Sequence, residues 1–214
     1  MGTTMARNHK LRASLNQGAM LCLLGALLFT QACSSIAYVQ LNDRVPAKDS
    51  ALAGKKAFLS VEDERKTKEF AGPGVKREFD RFSETLAYSV QKGTDPVLNL
   101  GLYDVPSLVK EAFRARVESE GVEVLTERKA GQLELVLALQ DFSLDLISRN
   151  WKVKFGYEVR LVKNGNLLAK QFANGEAERL KLMGTDQADA VVGDLFSDVM
   201  NRINLVKLFR DAGQ

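Results

Sequence analysis

The sequence predicts an α+β fold, a mixed and mainly antiparallel sheet with two helices packed on one face. Three successive segments within residues 133–173 are predicted to be strands, and the second of them, residues 151–161, alternates apolar and polar side chains, as a strand with one buried and one wet face does. Residues 104–121 and 185–210 instead repeat apolar side chains at helical spacing. Because each helix leaves one apolar face, we expect both helices to cover the sheet.

The first of the three strands changes phase along its length. The leucines of residues 133–139 occupy alternate positions, whereas the apolar residues of 142–146 occupy positions of the opposite parity. A single slip near Gln140-Asp141 is what a β-bulge produces. The pattern therefore predicts a bulge at these two residues.

Turn residues connect the three strands. Residues 151–161 alternate strictly, and residues 167–173 return after the sequence Lys163-Asn164-Gly165-Asn166. Asn-Gly is the favoured pair in a two-residue hairpin. With a second turn at residues 148–150, the three strands are predicted to form an antiparallel meander.

Both predicted helices carry terminal signals. Asp104 can cap the first helix, Pro106 suits its first turn, and Gly121 suits its end. The second helix is predicted to begin at Thr185-Asp186 and to run without a break past Val206. A strand at residues 122–126 is expected directly after the first helix.

The N-terminal half of the chain has weaker patterns. Residues 36–41 and 55–61 are predicted to form short strands. Two interpretations of residues 70–100 stay open. Apolar side chains between residues 75 and 86 recur at helical spacing, whereas residues 85–91 also fit a strand.

Residues 1–32 have the features of a secretory signal. The start is basic, and residues 19–29 form an apolar run that is too short to span a bilayer. The sequence Thr30-Gln31-Ala32-Cys33 then resembles a lipobox, although Thr30 stands where leucine is usual. The resemblance implies that Cys33 is lipidated and becomes the first residue of the mature protein. Ordinary secretion, an uncleaved signal anchor and a buried core helix that begins at Ala19 are the alternatives.

The predicted organisation follows from this leader. Residues 1–32 are the signal peptide, residues 33–54 the lipidated N-terminus and tether, and residues 55–214 a single periplasmic domain. By resemblance to enterobacterial sorting, Ser34 after the cysteine implies lipid anchoring in the outer membrane, with the inner membrane as the alternative.

Composition excludes several classes of function. The chain has 30 Lys+Arg and 27 Asp+Glu, and three of the basic residues lie in the signal peptide, so the remainder is balanced and nucleic acid is not an expected partner. The only histidine, His9, and one of the two cysteines, Cys22, also lie in the signal peptide. We therefore expect no His- or Cys-based catalysis, no metal site and no cofactor.

A charged cluster follows the strand predicted at residues 55–61. Its residues Asp63 and Arg65 match an Asp-x-Arg motif, and here the chain resembles the YajG-like family of small bacterial outer-membrane lipoproteins. The resemblance implies that Asp63 and Arg65 form a structural ion pair. The alternative is a solvated charge cluster at the end of a strand.

Three hypotheses of function remain. The first is a non-enzymatic binding or accessory module of the cell envelope, anchored to the membrane by its lipid and bound to an envelope protein of unknown identity. The second is a carrier of lipid or another hydrophobic ligand, such as an auxiliary lipoprotein of an envelope transport system, with Trp151, Phe155 and Tyr157 lining an apolar groove. The alternative for these three side chains, which the sequence favours, is packing in the core. The third, a hydrolase of cell-wall glycans, needs a pair of carboxylates that the sequence does not single out.

Overall fold

The computed structural model describes residues 36–47 and 49–214, and this part of the chain forms eight strands and four helices. The strands are β1 (Gln40–Val45), β2 (Lys56–Asp63), β3 (Leu86–Lys92), β4 (Leu98–Tyr103), β5 (Glu123–Leu125), β6 (Leu133–Ile147), β7 (Asn150–Lys163) and β8 (Asn166–Leu180). The helices are α1 (Pro73–Glu78), α2 (Val105–Ser119), α3 (Asp186–Met200) and α4 (Leu205–Asp211).

The fold is α+β, as predicted, but the strands form two sheets rather than one. The larger sheet has five strands in the order β5-β2-β6-β7-β8, and the smaller has three in the order β1-β3-β4. The long pairings β6–β7 and β7–β8 are antiparallel, whereas β2 runs parallel to both of its neighbours and β1 runs parallel to β3. The arrangement is therefore mixed and mainly antiparallel.

The meander confirms both the bulge and the turns. The register between β6 and β7 shifts between Leu139 and Asp141. Asn164 and Gly165 have φ values of 51° and 79°, the left-handed backbone that a two-residue hairpin requires. β8 continues to Leu180, beyond the predicted end of its strand, because it pairs with β7 along its whole length.

Helices α2 and α3 cover one face of the larger sheet, as predicted. Phe196 of α3 stacks on Phe155 of β7, with 4.9 Å between ring centroids, and Phe113 of α2 meets Tyr157 edge to face at 6.2 Å. The predicted cap also forms, because the Asp104 carboxylate accepts a hydrogen bond from a backbone N–H in the first turn of α2. The core lies between this face and the two helices.

The prediction of a single C-terminal helix is wrong. The chain leaves the helix after Met200 and starts again at Leu205, where the Asn204 side chain accepts a hydrogen bond from the Lys207 N–H at 2.7 Å. The buried Tyr157 hydroxyl donates to the Met200 carbonyl at 3.0 Å, which satisfies one of the groups left free at the end of α3. The spacing of apolar residues alone does not reveal the Asn204 cap or the hydrogen bond from Tyr157.

The folded domain begins earlier than residue 55, the boundary predicted from the sequence. The compact unit runs from residue 36 to residue 214, and Val39, Leu41 and Val45 are buried in its core. Residues 36–54, expected in the tether, are therefore part of the domain. Cys33, where lipidation is predicted, lies outside the described residues.

The region between residues 70 and 100 contains both of the structures that the sequence left open. Helix α1 begins inside the sequence Gly72-Pro73-Gly74, with Gly72 as its N-cap, and β3 occupies the segment that also fitted a strand. Strand β4 was not predicted. Over the part of the chain that the structure describes, no helix has the length and apolar character to cross a membrane.

Candidate interaction edge

The outermost strands of the two sheets are the places where this domain can add another strand. The smaller sheet ends in β1 and β4, and the larger sheet ends in β5 and β8. The unpaired backbone groups of an outermost strand form a template for pairing with a further chain, and proteins usually cover, shorten or charge such edges. The four edges differ in how far they are protected in this way.

Helix α3 covers the outer edge of β1. The Gln40 N–H donates to the Asp189 carboxylate at 2.9 Å, and the Arg44 N–H donates to Ser197 Oγ at 3.0 Å. Between these contacts, a Cβ on Gly193 would lie 3.2 Å from a β1 carbonyl oxygen, so the helix backbone approaches the strand closely. Helix α3 thus covers this edge and accepts hydrogen bonds from two of its backbone N–H groups.

The edges of the larger sheet are protected in other ways. β5 has only three residues. β8 is long but carries charged side chains that bind β7, including Lys170 with Glu158 at 3.0 Å and Glu176 with Lys154 at 2.7 Å. Short length and exposed charge both oppose the addition of another strand.

β4 is neither as short as β5 nor charged like β8. The strand reads Leu-Asn-Leu-Gly-Leu-Tyr and contains no charged residue, and every position except Tyr103 is exposed. Leu98 and Leu102 are 58% and 66% exposed, and Val97 immediately before the strand is exposed as well. A row of uncovered apolar side chains on an outer strand is unusual for a soluble domain and marks an interaction site.

A bulge directs the leucines of β4 to both faces of the smaller sheet. The register pairs Leu102 with Ala87 and Leu98 with Val90, and alternation along β3 places these two partners on opposite faces. The extra residue lies beside Gly101, whose φ of 112° favours glycine. The strand therefore offers apolar side chains above and below its free edge.

Asp63 and Arg65 form a structural ion pair. Arg65 Nε and Nη2 donate to the two carboxylate oxygens of Asp63 at 2.9 and 3.0 Å, and Nη1 donates to the Phe142 carbonyl at 3.3 Å. Burial alone would raise the pKa of Asp63, but the hydrogen bonds and positive charge of Arg65 outweigh it and lower that pKa. The pair joins the end of β2 to β6 just beyond its bulge.

The proposed apolar groove is not present at Trp151, Phe155 and Tyr157. Each of these side chains is at most 1% exposed. All three residues lie on the face of β7 that α2 and α3 cover, so their side chains belong to the hydrophobic core. Phe79 closes the end of the cluster by stacking on Trp151 at 6.1 Å.

A buried charged network that the sequence patterns did not predict joins β1, α2 and α3. Asp43 accepts hydrogen bonds from Arg116 Nη2 at 2.6 Å, from Ser197 Oγ at 2.9 Å and from the Tyr88 hydroxyl at 3.0 Å. Burial, together with the charge of Asp43, raises the pKa of Tyr88, which keeps the hydroxyl protonated as a donor. All four side chains are buried, so the network holds the fold and is closed to a substrate.

Neither a known protein-family model nor a curated protein matches the chain. Among solved structures it is similar to a Xanthomonas campestris protein described by the family model DUF330, with 13% identity and a TM-score of 0.46, over 82% of this chain and 96% of that one. It is also similar to an uncharacterized protein, with 12% identity and a TM-score of 0.41, over 77% of this chain and 98% of that one. Both likenesses are distant.

Proposed function

We propose that this protein is a lipoprotein of the bacterial cell envelope, anchored in the outer membrane through Cys33, whose periplasmic domain binds an envelope protein without catalysing a reaction. The free edge of β4 carries the proposal. An extended segment of the partner adds to β4 as a further strand, with backbone hydrogen bonds along the edge and apolar side chains against Leu98 and Leu102.

The chemistry of the edge defines the partner. Because β4 has no charge and exposes leucines on both faces, it suits an extended segment with apolar side chains at alternating positions. Binding such a segment would cover the apolar surface that the isolated domain leaves in water. The resemblance to YajG-like lipoproteins, carried by the leader and by Asp63 and Arg65, belongs to the same proposal.

Site-specific photo-crosslinking in cells tests the proposed edge. A photoreactive amino acid at Leu102 should give a discrete adduct with an envelope protein, whereas the same group at Val206, an exposed position on α4, should give none. The substitution Leu100→Lys should abolish the adduct because a charge on an edge strand opposes pairing, and Val206→Lys should leave it unchanged. Equal crosslinking at Leu102 with and without Leu100→Lys would contradict strand addition.

The carrier hypothesis is the weaker proposal. Its three groove residues, Trp151, Phe155 and Tyr157, are core side chains, and ligand sites for lipids are normally concave and apolar. Lipid that co-purifies with the protein in the absence of detergent would restore this hypothesis.

A further inference from the structure

The end of the domain at which the described chain begins has an unusual surface. We name it the proximal end and define it as residues 36–38, 77–85, 147–150 and 180–185. It exposes six large apolar side chains, and two of them, Ile36 and Met183, are 60% and 80% exposed. The other four are Tyr38, Ile147, Leu180 and Leu182.

Direct contacts bring these segments together. The Ala37 N–H donates to the Arg81 carbonyl at 3.0 Å, which places the start of the domain beside residues 77–85. Phe79 stacks on Trp151 next to the β6–β7 hairpin, and the Lys181 N–H donates to the Arg149 carbonyl at 2.8 Å. The proximal end is therefore one continuous surface.

Positive charge lies among these apolar side chains. Arg77, Arg149 and Lys181 line an open depression of about 370 Å³ together with Leu182. Lys181 is paired with Glu78 at 2.7 Å and Glu84 with Lys76 at 3.2 Å, whereas Arg77, Arg81 and Arg149 form no ion pair with the described residues. The exposed carboxylate of Asp80 offsets one of these three charges. Unpaired cations beside exposed apolar groups are typical of surfaces that bind anionic membranes.

The length of chain before the domain restricts what can cover this surface. Three residue steps separate Cys33 from Ile36, and an extended chain spans at most about 3.6 Å per residue, so the two lie within about 11 Å of each other. A lipid on Cys33 would hold the proximal end beside the headgroups. If the domain began at residue 55, the longer tether would not hold its first residue close to Cys33.

We infer that the proximal end docks on the bilayer surface, with Arg77 and Arg149 against the phosphates of anionic phospholipids and Ile36, Leu182 and Met183 in the headgroup layer. This inference rests on the proposed lipid anchor at Cys33. It adds a second membrane contact to that anchor, and it fixes the direction of the domain, with the β7–β8 turn at Asn164 pointing away from the membrane.

Depth-dependent fluorescence quenching tests the docking on the full lipidated protein. The mature chain has no cysteine besides Cys33, so a single label can be placed at Met183→Cys or, as a control at the opposite end, at Asn164→Cys. Each protein is reconstituted in vesicles of phosphatidylethanolamine and phosphatidylglycerol that contain a nitroxide at headgroup depth, and in vesicles of phosphatidylcholine. We expect strong quenching at residue 183 in the anionic vesicles and little at residue 164.

Charge variants make the test specific. The double variant Arg77→Gln/Arg149→Asn should weaken docking about 30-fold, from about 1 kcal/mol for each cation near an anionic surface. Asparagine is chosen at position 149 because Arg149 has a φ of 65°, which asparagine tolerates. The matched control Lys92→Gln/Lys129→Gln removes two exposed cations from the opposite end and should change nothing.

The outcomes separate the docking from the anchor. Equal, weak quenching at residues 183 and 164 in a chain with the full acyl mass would overturn the docking and leave the anchor in place. Quenching at residue 183 that is the same in both kinds of vesicle, or insensitive to the arginine variant, would also overturn it. A chain without acyl mass that stays free of the vesicles would overturn both the anchor and the docking.

Discussion

Asp43 and Arg116 form a buried ion pair at the point where the smaller sheet meets helices α2 and α3. Both guanidinium ends of Arg116 donate to the Asp43 carboxylate, at 2.6 and 2.8 Å, and Arg116 Nε donates to Asn201 Oδ1 at 2.8 Å. The bidentate geometry and the additional donors compensate for the loss of water around two buried charges. The pair joins β1, α2 and the end of α3.

Removing one partner of this pair should destabilise the domain severely. Arg116→Met leaves the Asp43 carboxylate buried without its cation, and such changes cost about 3–5 kcal/mol. Equilibrium unfolding in urea measures the loss. Lys110→Gln on the same helix is the control and should change the free energy of unfolding by less than about 0.5 kcal/mol. A small effect of Arg116→Met would show that the ion pair contributes little to the stability of the domain.

The Asp43–Arg116 pair also shows which features of the fold could not be predicted from the sequence. Both residues occupy apolar-face positions, Asp43 between Leu41 and Val45 and Arg116 beside Phe113, so opposite charges on buried faces were a usable signal. The prediction missed it because it placed residues 33–54 outside the domain. Pairing between distant segments decides that boundary, and local periodicity does not show such pairing.

The other elements could be predicted where their signals are local, and they were missed where they depend on pairing between strands. The meander and α2 were predictable because alternation, the turn at Asn164 and the cap at Asp104 are local signals. β4 was missed because leucine and glycine have no strong preference for strands, and its pairing with β3 is what makes it a strand. Its role as an exposed edge depends on strand order, which only the structure gives.

Gly74 is required for α1 to dock on β6. A Cβ at this position would overlap the Leu146 carbonyl oxygen, which is backbone and cannot move aside easily. Gly74→Ala should therefore destabilise the domain by about 1–3 kcal/mol, the usual cost of overpacking. Thermal unfolding measures the effect, with Arg77→Ala on the exposed face of α1 as a control of little effect. Equal midpoints for the two variants would argue against close docking of α1.

Acid should weaken the domain partly through Asp63. Because Arg65 lowers the pKa of Asp63 in the folded state, the pair stabilises the fold fully above the ordinary aspartate pKa of about 3.9, and this contribution is lost as the pH falls through the lowered value. In Asp63→Asn this part of the acid dependence should be absent. Urea unfolding between about pH 5 and pH 2 measures it.

The control for the acid experiment is Asp80→Asn, which changes an exposed carboxylate outside any described ion pair. It should retain the acid dependence of the wild-type protein. If Asp63→Asn and Asp80→Asn weaken in parallel with the wild type as the pH falls, the Asp63–Arg65 pair does not contribute to stability.

The lipid anchor at Cys33 is the central claim, because the membrane location and the docking of the proximal end both depend on it. Intact mass and membrane fractionation of the protein expressed in a bacterium, beside a Cys33→Ser variant, test it most directly. We expect a triacylated chain that begins at Cys33, sediments with the outer membrane and is lost in the variant. An unmodified chain in the soluble periplasmic fraction would contradict it.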